Sequence, residues 1–193
     1  MAIRLKNVYM NFGDKNVFTN LNLELQTGAM TAIMGPSGAG KTTLVYLLCG
    51  LLRPDYGAIE GVDRKKTAIV FQEDRLLGHL SGLENILYVQ KNPKLYVNTA
   101  LGLLDEAGLM DDANRLAKNY SGGMKRRLAL CRALAANFDI LILDEPFKGL
   151  DAALKPKIMQ MVKSHSAGKT VILITHDSAE AEFFGCPIVN ITV

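Results

Sequence analysis

A short glycine-rich segment near the start of the chain ends in a lysine and two threonines. It is Gly35-Pro36-Ser37-Gly38-Ala39-Gly40-Lys41-Thr42-Thr43, and residues 35–42 match G-x-x-x-x-G-K-[ST] in full. Glycines let backbone N–H groups converge on phosphate oxygens, and a helix that follows adds its partial positive charge. Lys41 supplies a mobile cation, and the Thr42 hydroxyl can bind Mg²⁺. We call residues 35–42 the phosphate loop. They predict a binding site for a nucleoside triphosphate, and Thr43, the next residue, is expected to belong to that site.

The residues that flank the phosphate loop favour this interpretation over a glycine-rich turn that merely precedes a lysine. Met30–Met34 predicts a strand that enters the loop, and Thr42–Cys49 predicts a helix that leaves it. Gly50 is placed to end that helix. A strand, a glycine-rich loop and a helix in this order form the context that the motif needs.

Two acidic residues follow an apolar run later in the chain. Ile140–Leu143 and Val171–Ile174 are continuously apolar, which is typical of parallel strands covered on both faces. Ligands bind beyond the carboxyl ends of such strands, so Asp144 is predicted to hold Mg²⁺ and Glu145 to act as general base toward the attacking water. Pro146 is expected to restrict Glu145 to extended backbone angles. Taken alone, the acidic pair is equally compatible with a solvated strand end.

One of the three histidines lies at the predicted edge of the same sheet. His176 follows the second buried strand, where it could hydrogen-bond a γ-phosphate and respond to its presence. His79 and His165 have no comparable setting and are expected at the surface.

The remaining elements predict a single α/β domain over residues 1–193. Leu21, Leu23 and Leu25 alternate with polar residues, and Phe12-Gly13-Asp14 resembles a turn, so an antiparallel ribbon is expected at the N-terminus. Residues 84–136 predict helices, among them one from about Met124 to Ala136. The expected fold class is α/β: a P-loop NTPase core with a mostly parallel sheet, an N-terminal antiparallel β subdomain and an inserted helical subdomain at about 84–136.

Composition limits the classes of partner. The net charge is +3 over 193 residues, and the basic residues are scattered among nearly as many carboxylates, so no nucleic acid is expected. The run Lys125-Arg126-Arg127 is interpreted as a solvated helix face. Three widely spaced cysteines predict buried, reduced thiols. Neither a signal peptide nor a membrane-spanning run is expected, so a role at a membrane would be exercised from the aqueous side.

A further segment narrows the class of NTPase. Tyr120-Ser-Gly-Gly-Met-Lys-Arg-Arg127 resembles the signature motif of ATP-binding cassette (ABC) proteins. The family's motifs occur along the chain in the expected order: the phosphate loop, Gln72, the signature, Asp144-Glu145, Leu150-Asp151 and His176. The resemblance covers essentially the whole chain and implies ATP hydrolysis.

The resemblance also implies roles for residues outside the phosphate loop. Phe12 matches the aromatic residue that stacks on adenine, and Gln72 matches the glutamine that senses Mg²⁺ and the attacking water. Asp151 matches an aspartate at the dimer interface. The signature residues would contact ATP held by the opposite subunit of a head-to-tail dimer; they are Ser121, Gly122, Gly123 and Met124. That dimer would join two copies of this chain or this chain and a similar subunit.

Several residues depart from the family pattern. Tyr120 and Met124 stand where the signature usually has Leu and Gln, and Met124 cannot donate the amide hydrogen bonds of Gln. Lys148-Gly149 replaces the commoner Ser-Ala before Leu150-Asp151. Because the sequence ends at Val193, we expect no regulatory C-terminal domain of the kind that some relatives carry.

The segment Phe71–Ile86 is similar to that of importers of the nitrate, sulfonate and taurine type. The expected function is therefore the ATPase subunit of a membrane importer, bound to transmembrane permease subunits at the cytoplasmic face. Leu76, Leu77 and Leu80 either line a groove for a membrane-subunit helix or pack inside the helical lobe. The alternatives are an ABC ATPase of iron–sulfur assembly or DNA repair and a nucleotide-binding regulator without turnover. Lys41, Asp144, Glu145 and His176 argue against the regulator.

Overall fold

The computed structural model describes residues 2–191, which form two compact units. Within this range, the first unit comprises the residues up to Thr67, Phe138–Asp144 and the residues from Gly168. The second comprises Ala68–Asn137 and Glu145–Ala167. The division separates Asp144 from Glu145. The expectations that concern Met1 and the chain end at Val193 lie outside the described residues.

The first unit contains the predicted antiparallel ribbon. Its strands are β1 (Ala2–Phe12), β2 (Lys15–Gln26) and β4 (Tyr56–Glu60), in the order β2-β1-β4. The turn between β1 and β2 is Gly13-Asp14, and Gly13 has a φ of 57° that suits a tight turn. Leu25 of β2 is buried between exposed neighbours, as the alternation predicts.

The first unit also carries a parallel sheet. Its strands are β3 (Met30–Met34), β6 (Ile140–Asp144), β7 (Thr170–Ile174) and β8 (Ile188–Asn190), in the order β6-β7-β3-β8. Every residue of β6 and β7 is buried, which confirms the two-sided cover predicted from their continuous apolar runs. Helices α1 (Lys41–Leu48) and α6 (Ser178–Phe184) belong to this unit, and α1 packs against β6. Strand β5 (Thr67–Val70) begins at the boundary between the units.

The second unit is mainly helical. Its helices are α2 (Gly82–Leu87), α3 (Val97–Glu106), α4 (Gly122–Ala135) and α5 (Lys155–His165), and α4 packs against the other three. Pro93 opens a 3₁₀ turn before α3, and Gly108, with a φ of 62°, lies just beyond its end. Leu104 is fully buried. These helices include the stretch predicted at about 84–136, whereas the single-domain organisation of 1–193 stays a prediction.

The structure assigns no disulfide or catalytic role to the three cysteines. None of the three cysteines forms a disulfide. The predicted burial is confirmed for Cys131 but is wrong for Cys49 and Cys186, which are half-buried. Burial raises the pKa of Cys131 to about 12, so its thiol is protonated and inert at neutral pH. Between residues 2 and 191, none of the helices has the length and apolar character needed to cross a bilayer.

Candidate functional site

Three strands of the first unit end within one residue of the same level. Ile33 of β3 pairs with Ile174 of β7, and Ile174 pairs with Asp144 of β6. The phosphate loop follows β3, and His176 follows β7, with the Thr175 amide donating to the Ile33 carbonyl over 3.3 Å. The parallel register therefore brings the phosphate loop, Asp144 and His176 to one edge of the sheet, where ligands of such folds bind.

The phosphate loop takes a shape that strongly favours glycine at its last turn. Gly40 precedes α1 with a φ of 84° and a ψ of 11°, a left-handed conformation. A Cβ at this position would lie 2.7 Å from Val17 Cγ1 and 2.8 Å from the Phe18 ring. Gly38 is also left-handed, with a φ of 85°. The backbone angles thus favour glycine at both positions, and at Gly40 the close approach of Val17 and Phe18 favours it further.

The Lys41 side chain folds back over the phosphate loop. Its Nζ donates to the carbonyl oxygens of Gly35 and Pro36, at 2.7 and 2.8 Å. Helix α1 has no side-chain cap, so its first amides are not engaged by a capping residue, and residues 36–38 are exposed. An ammonium group and a helix N-terminus at an exposed loop suit an anionic phosphate chain.

Two oxygen donors at this edge suit Mg²⁺. Thr42 is exposed in the first turn of α1, and Asp144 ends β6, the strand against which α1 packs. Asp144 is only 2% exposed, and its carboxylate and the Thr42 hydroxyl are the oxygen ligands that Mg²⁺ prefers. Nowhere in residues 2–191 do three or more His, Cys, Asp or Glu side chains form a metal cluster. The donor set fits an ion that keeps waters and substrate phosphates as its other ligands.

Two further predicted residues of the first unit are accessible. Phe12 ends β1 with 48% of its surface exposed, so part of its ring is accessible to an aromatic partner. His176 is exposed just before Asp177, whose side chain caps α6 by accepting from the Ala179 amide. Exposure at the sheet edge is compatible with the phosphate contact predicted for His176. His79 and His165 are exposed as predicted, and His165 pairs with Glu106 at 3.0 Å.

The backbone of Glu145 contradicts its predicted extended conformation. Its φ is 50°, in the left-handed region that side-chain-bearing residues rarely occupy, despite the proline that follows. The Glu145 carbonyl accepts hydrogen bonds from Arg126 Nη2 and from the Lys148 amide. These bonds define the unusual geometry of residues 145–149, which we call the glutamate loop. Strained backbone of this kind is concentrated at functional sites.

Arg126 is not on a solvated helix face, so that interpretation of the basic run is wrong. The residue is 5% exposed, and its guanidinium donates to several backbone carbonyls and to one carboxylate of the second unit. The recipients are Glu145, Pro146, Phe71, Gln72 and Asp74. Residues 71–75, called the glutamine loop below, receive further bonds from Arg132 Nη2 to the Asp74 and Arg75 carbonyls, at 3.2 and 3.0 Å.

The signature residues open α4. Ser121 is its N-cap and accepts from the Met124 amide over 3.3 Å, and Gly122 begins the helix. Tyr120 departs from the usual Leu because it has a structural role: its buried ring places the hydroxyl 2.7 Å from the Asp112 carbonyl, to which it donates. Ser121 and Gly122 are exposed, as contact with another molecule requires.

A cavity of about 240 Å³ lies within the second unit. It is lined by Gln72, Asp74, Gly122, Gly123, Arg126, Glu145, Lys148 and Gly149. The second unit thus brings the predicted glutamine, general base and signature glycines to one cavity. Asp151 lies outside this set; it is exposed, and its Oδ1 accepts from the Ala153 amide at 2.8 Å.

Two buried polar residues escaped the reasoning from sequence. Arg126 lies four residues before the buried Leu130 on α4, so helical periodicity places it on the inner face. That spacing could have identified it. Asn85 is fully buried, and its amide bonds the backbone of Leu77 in both directions. Leu76, Leu77 and Leu80 are half-buried, so each packs partly inside and keeps some surface for a partner.

Comparison with known proteins decides the family. The model of the ABC transporter family matches residues 18–148, which is more than half of the chain. The chain belongs to the ABC transporter family. It is an ATP-binding cassette and an ATPase of that family. The matched range includes the phosphate loop, Gln72, the signature and Glu145.

Relatives of this cassette include subunits named for import. An aliphatic sulfonates import ATP-binding protein of Rhodococcus jostii is 39% identical over 94% of the cassette and 68% of that protein. A taurine import ATP-binding protein of Escherichia coli O157:H7 is 32% identical over 97% and 78%. A sulfate/thiosulfate import ATP-binding protein of Gloeobacter violaceus is 37% identical, but the cassette spans only 57% of its length.

Solved structures agree with the fold. A dimeric ATP-binding cassette in a post-hydrolysis state, bound to ADP and Pi, superposes with a TM-score of 0.87 at 32% identity. The match covers 98% of this cassette and 94% of that chain. The predicted α/β fold, with its parallel sheet, antiparallel β subdomain and helices, is thereby confirmed.

Proposed function

We propose that this cassette is the ATP-hydrolysing subunit of an ABC importer, bound to permease subunits at the cytoplasmic face of a membrane. The main observation that supports an ATPase site is the parallel register of β3, β7 and β6, which aligns their carboxyl ends. The transport role is supported by relatives named as import ATP-binding subunits, among them those for sulfonates and taurine. The sequence similarity of residues 71–86 to importers of that type points to the same class.

In this proposal the phosphate loop binds the phosphate chain of ATP. Amides of the loop and of the first turn of α1 donate to phosphate oxygens, and Lys41 exchanges its two carbonyl partners for the β- and γ-phosphates. The nucleotide-binding set runs from Gly35 to Thr43. Phe12 stacks its exposed ring on adenine.

Hydrolysis is assigned to Glu145, with Gln72 and His176 assisting. Glu145 accepts a proton from the water that attacks the γ-phosphorus, the bond to the β-phosphate oxygen breaks, and ADP and phosphate result. Gln72 positions the water, and His176 hydrogen-bonds the γ-phosphate. The left-handed Glu145 marks it as a residue whose orientation is enforced by its surroundings.

Mg²⁺ would be held by Thr42, Asp144 and Gln72, in part through water. When bound, the ion neutralises charge on the β- and γ-phosphates. The residues of this chain supply oxygen donors only, which is the ligand chemistry that Mg²⁺ favours.

ATP is proposed to join two cassettes head to tail. Ser121, Gly122, Gly123 and Met124 would contact the γ-phosphate of ATP held by the partner cassette, and Asp151 would cross the interface. The exposed start of α4 and the dimeric state of the structurally similar cassette support this arrangement. Loss of the γ-phosphate on hydrolysis removes the bridge, so the dimer opens through differential affinity for two states.

Affinity purification from detergent-solubilised membranes tests the transport role. A tagged Glu145→Gln cassette, expressed in its native host with ATP present, is expected to retain integral membrane proteins of permease type. The untagged chain processed in parallel controls for carry-over. Recovery of cytosolic partners alone would overturn the importer assignment and favour an ABC ATPase of iron–sulfur assembly or DNA repair.

A further inference from the structure

Arg126 connects two loops that the proposed mechanism uses separately. Its Nε donates to the Pro146 carbonyl at 2.9 Å, and its Nη2 donates to the Glu145 carbonyl. Its Nη1 faces the glutamine loop, where it donates to the Phe71 carbonyl and lies 3.5 Å from the Gln72 carbonyl. One planar group therefore contacts the backbone carbonyls of both residues assigned to the attacking water, Glu145 and Gln72.

The geometry requires arginine rather than any cation. A guanidinium presents five N–H donors in a rigid planar fork, whereas a lysine presents three donors on one flexible point. All three nitrogens of Arg126 are used, and they point toward carbonyls of two different segments. Lysine can retain the charge but cannot donate in both directions from a fixed plane.

Asp74 makes the buried charge tolerable. The Arg126 side chain is 6% exposed, and a charge that is so buried needs a partner. Asp74 Oδ1 lies 3.2 Å from Nη1, and the Asp74 side chain is itself only 24% exposed. Asp74 belongs to the glutamine loop, so the ion pair also fastens that loop to α4.

The same bonds act on the strained residue. Glu145 holds a φ of 50° before a proline, and its carbonyl is fixed by Arg126 and by the Lys148 amide at 3.3 Å. Such a conformation persists only where the surroundings over-determine it. Without Arg126, one of these two bonds to the Glu145 carbonyl is lost, and the Pro146 carbonyl loses its guanidinium donor.

We propose that Arg126, charge-paired with Asp74, is a positioning residue that holds the glutamate loop and the glutamine loop as one rigid block. The block fixes the direction of the Glu145 carboxylate relative to Gln72, which orients the attacking water. This inference rests on the proposed role of Glu145 as general base. Arg126 itself touches neither ATP nor water in this proposal.

Steady-state ATP hydrolysis and equilibrium ATP binding by Arg126→Met test the inference. Misplacing a catalytic group costs about a hundredfold in rate, so kcat should fall by that order. The dissociation constant for a fluorescent ATP analogue should stay within about twofold, because the phosphate loop keeps its own bonds. Arg126→Lys should recover part of the loss, and Asp74→Asn, which leaves the carbonyl bonds in place, should lower kcat by less than Arg126→Met.

Leu104→Ala is the matched control for lost stability. Leu104 is fully buried on α3 of the same unit and has no part in the site, so this variant lowers the unfolding temperature without touching either loop. It should keep its kcat at temperatures where it is folded. If Arg126→Met folds too poorly to assay, Arg126→Lys and Asp74→Asn carry the same comparison.

The outcomes separate this inference from the proposed function. If Glu145→Gln abolishes turnover while Arg126→Met and Arg126→Lys retain kcat within threefold, the positioning role is wrong and the general base stands. If Leu104→Ala loses kcat as much as Arg126→Met at equal stability, Arg126 is merely structural and the inference is again overturned. If Glu145→Gln retains full turnover, the general-base assignment is wrong, and the inference about Arg126 falls with it.

Discussion

The phosphate loop and the glutamate loop are held in place in opposite ways. The phosphate loop is held from within: Lys41 bonds carbonyls six and five residues before it, and Gly40 provides the turn. The glutamate loop has one bond from within, from the Lys148 amide to the Glu145 carbonyl, but it is also held from outside by Arg126, which is 19 residues before Glu145 in the chain. The loop proposed to bind the ligand is thus preorganised locally, whereas the loop proposed to activate water depends on a distant side chain. Binding and turnover should therefore be separable by substitution.

The largest separation is expected from Glu145→Gln. Loss of the general base should lower ATP hydrolysis by roughly two orders of magnitude or more. ATP binding should be preserved, because the phosphate loop does not depend on that carboxylate. Phosphate release and nucleotide titration on the same preparation measure the two effects.

Glu106→Gln removes a carboxylate that is exposed in the same unit and should leave turnover unchanged. A Glu145→Gln cassette that hydrolyses ATP at the parental rate would remove Glu145 from its assigned role.

A second variant tests the exposed start of α4, which is proposed to contact the partner cassette. It leaves the inner contacts of Arg126 in place. Ser121→Phe places a bulky ring at the exposed start of α4 and should weaken ATP-dependent dimerisation by about 2 kcal/mol, or roughly thirtyfold in Kd. Light scattering of the Glu145→Gln background with ATP measures the dimer.

Ser121→Ala is the control, because it loses the same cap to the Met124 amide without adding bulk. It should cost about 1 kcal/mol of stability, and it should weaken dimerisation less than Ser121→Phe does, because it loses the proposed γ-phosphate contact but adds no bulk. Normal dimerisation by Ser121→Phe would contradict the assignment of the signature.

The smallest effect tests the local support of the phosphate loop. Gly40→Ala forces a side chain into a left-handed conformation, which costs about 1–2 kcal/mol, and presses its Cβ against Val17 and Phe18. ATP affinity and the unfolding temperature should both fall.

Gly102→Ala, in α3, meets nothing within 4 Å and should stabilise the protein by about 0.5–1 kcal/mol. If Gly40→Ala binds ATP as tightly as the parent and unfolds at the same temperature, the loop does not need its left-handed turn.

The same contrast explains what the sequence could reveal. The phosphate loop, the start of α4 and the strands β6 and β7 follow from residues that are close in the chain: glycines at fixed offsets, a serine before two glycines, and unbroken apolar runs. Each was predicted to within about a residue or two, as helix and strand ends allow. Their physics is local, so a single sequence contains it.

The glutamate loop could not be inferred in this way. A proline after Glu145 favours extended angles in isolation, whereas in the structure Arg126 and the Lys148 amide bond the carbonyl of a left-handed Glu145. Likewise, three consecutive basic residues resemble a solvent-facing patch until the carbonyls around Arg126 are known. Tertiary contacts between segments as far apart as 55 residues overrode the local preference.

The level strand ends of β3, β7 and β6 limit how related chains can change in length. Each parallel strand advances about 3.3 Å per residue and alternates its side chains, so inserting one residue would carry a motif out of line and turn its side chain to the opposite layer. We therefore expect insertions and deletions in related chains to fall in the connections before the strands rather than between a strand and its motif. The number of residues from the start of each strand to its functional residue should therefore stay constant among related chains.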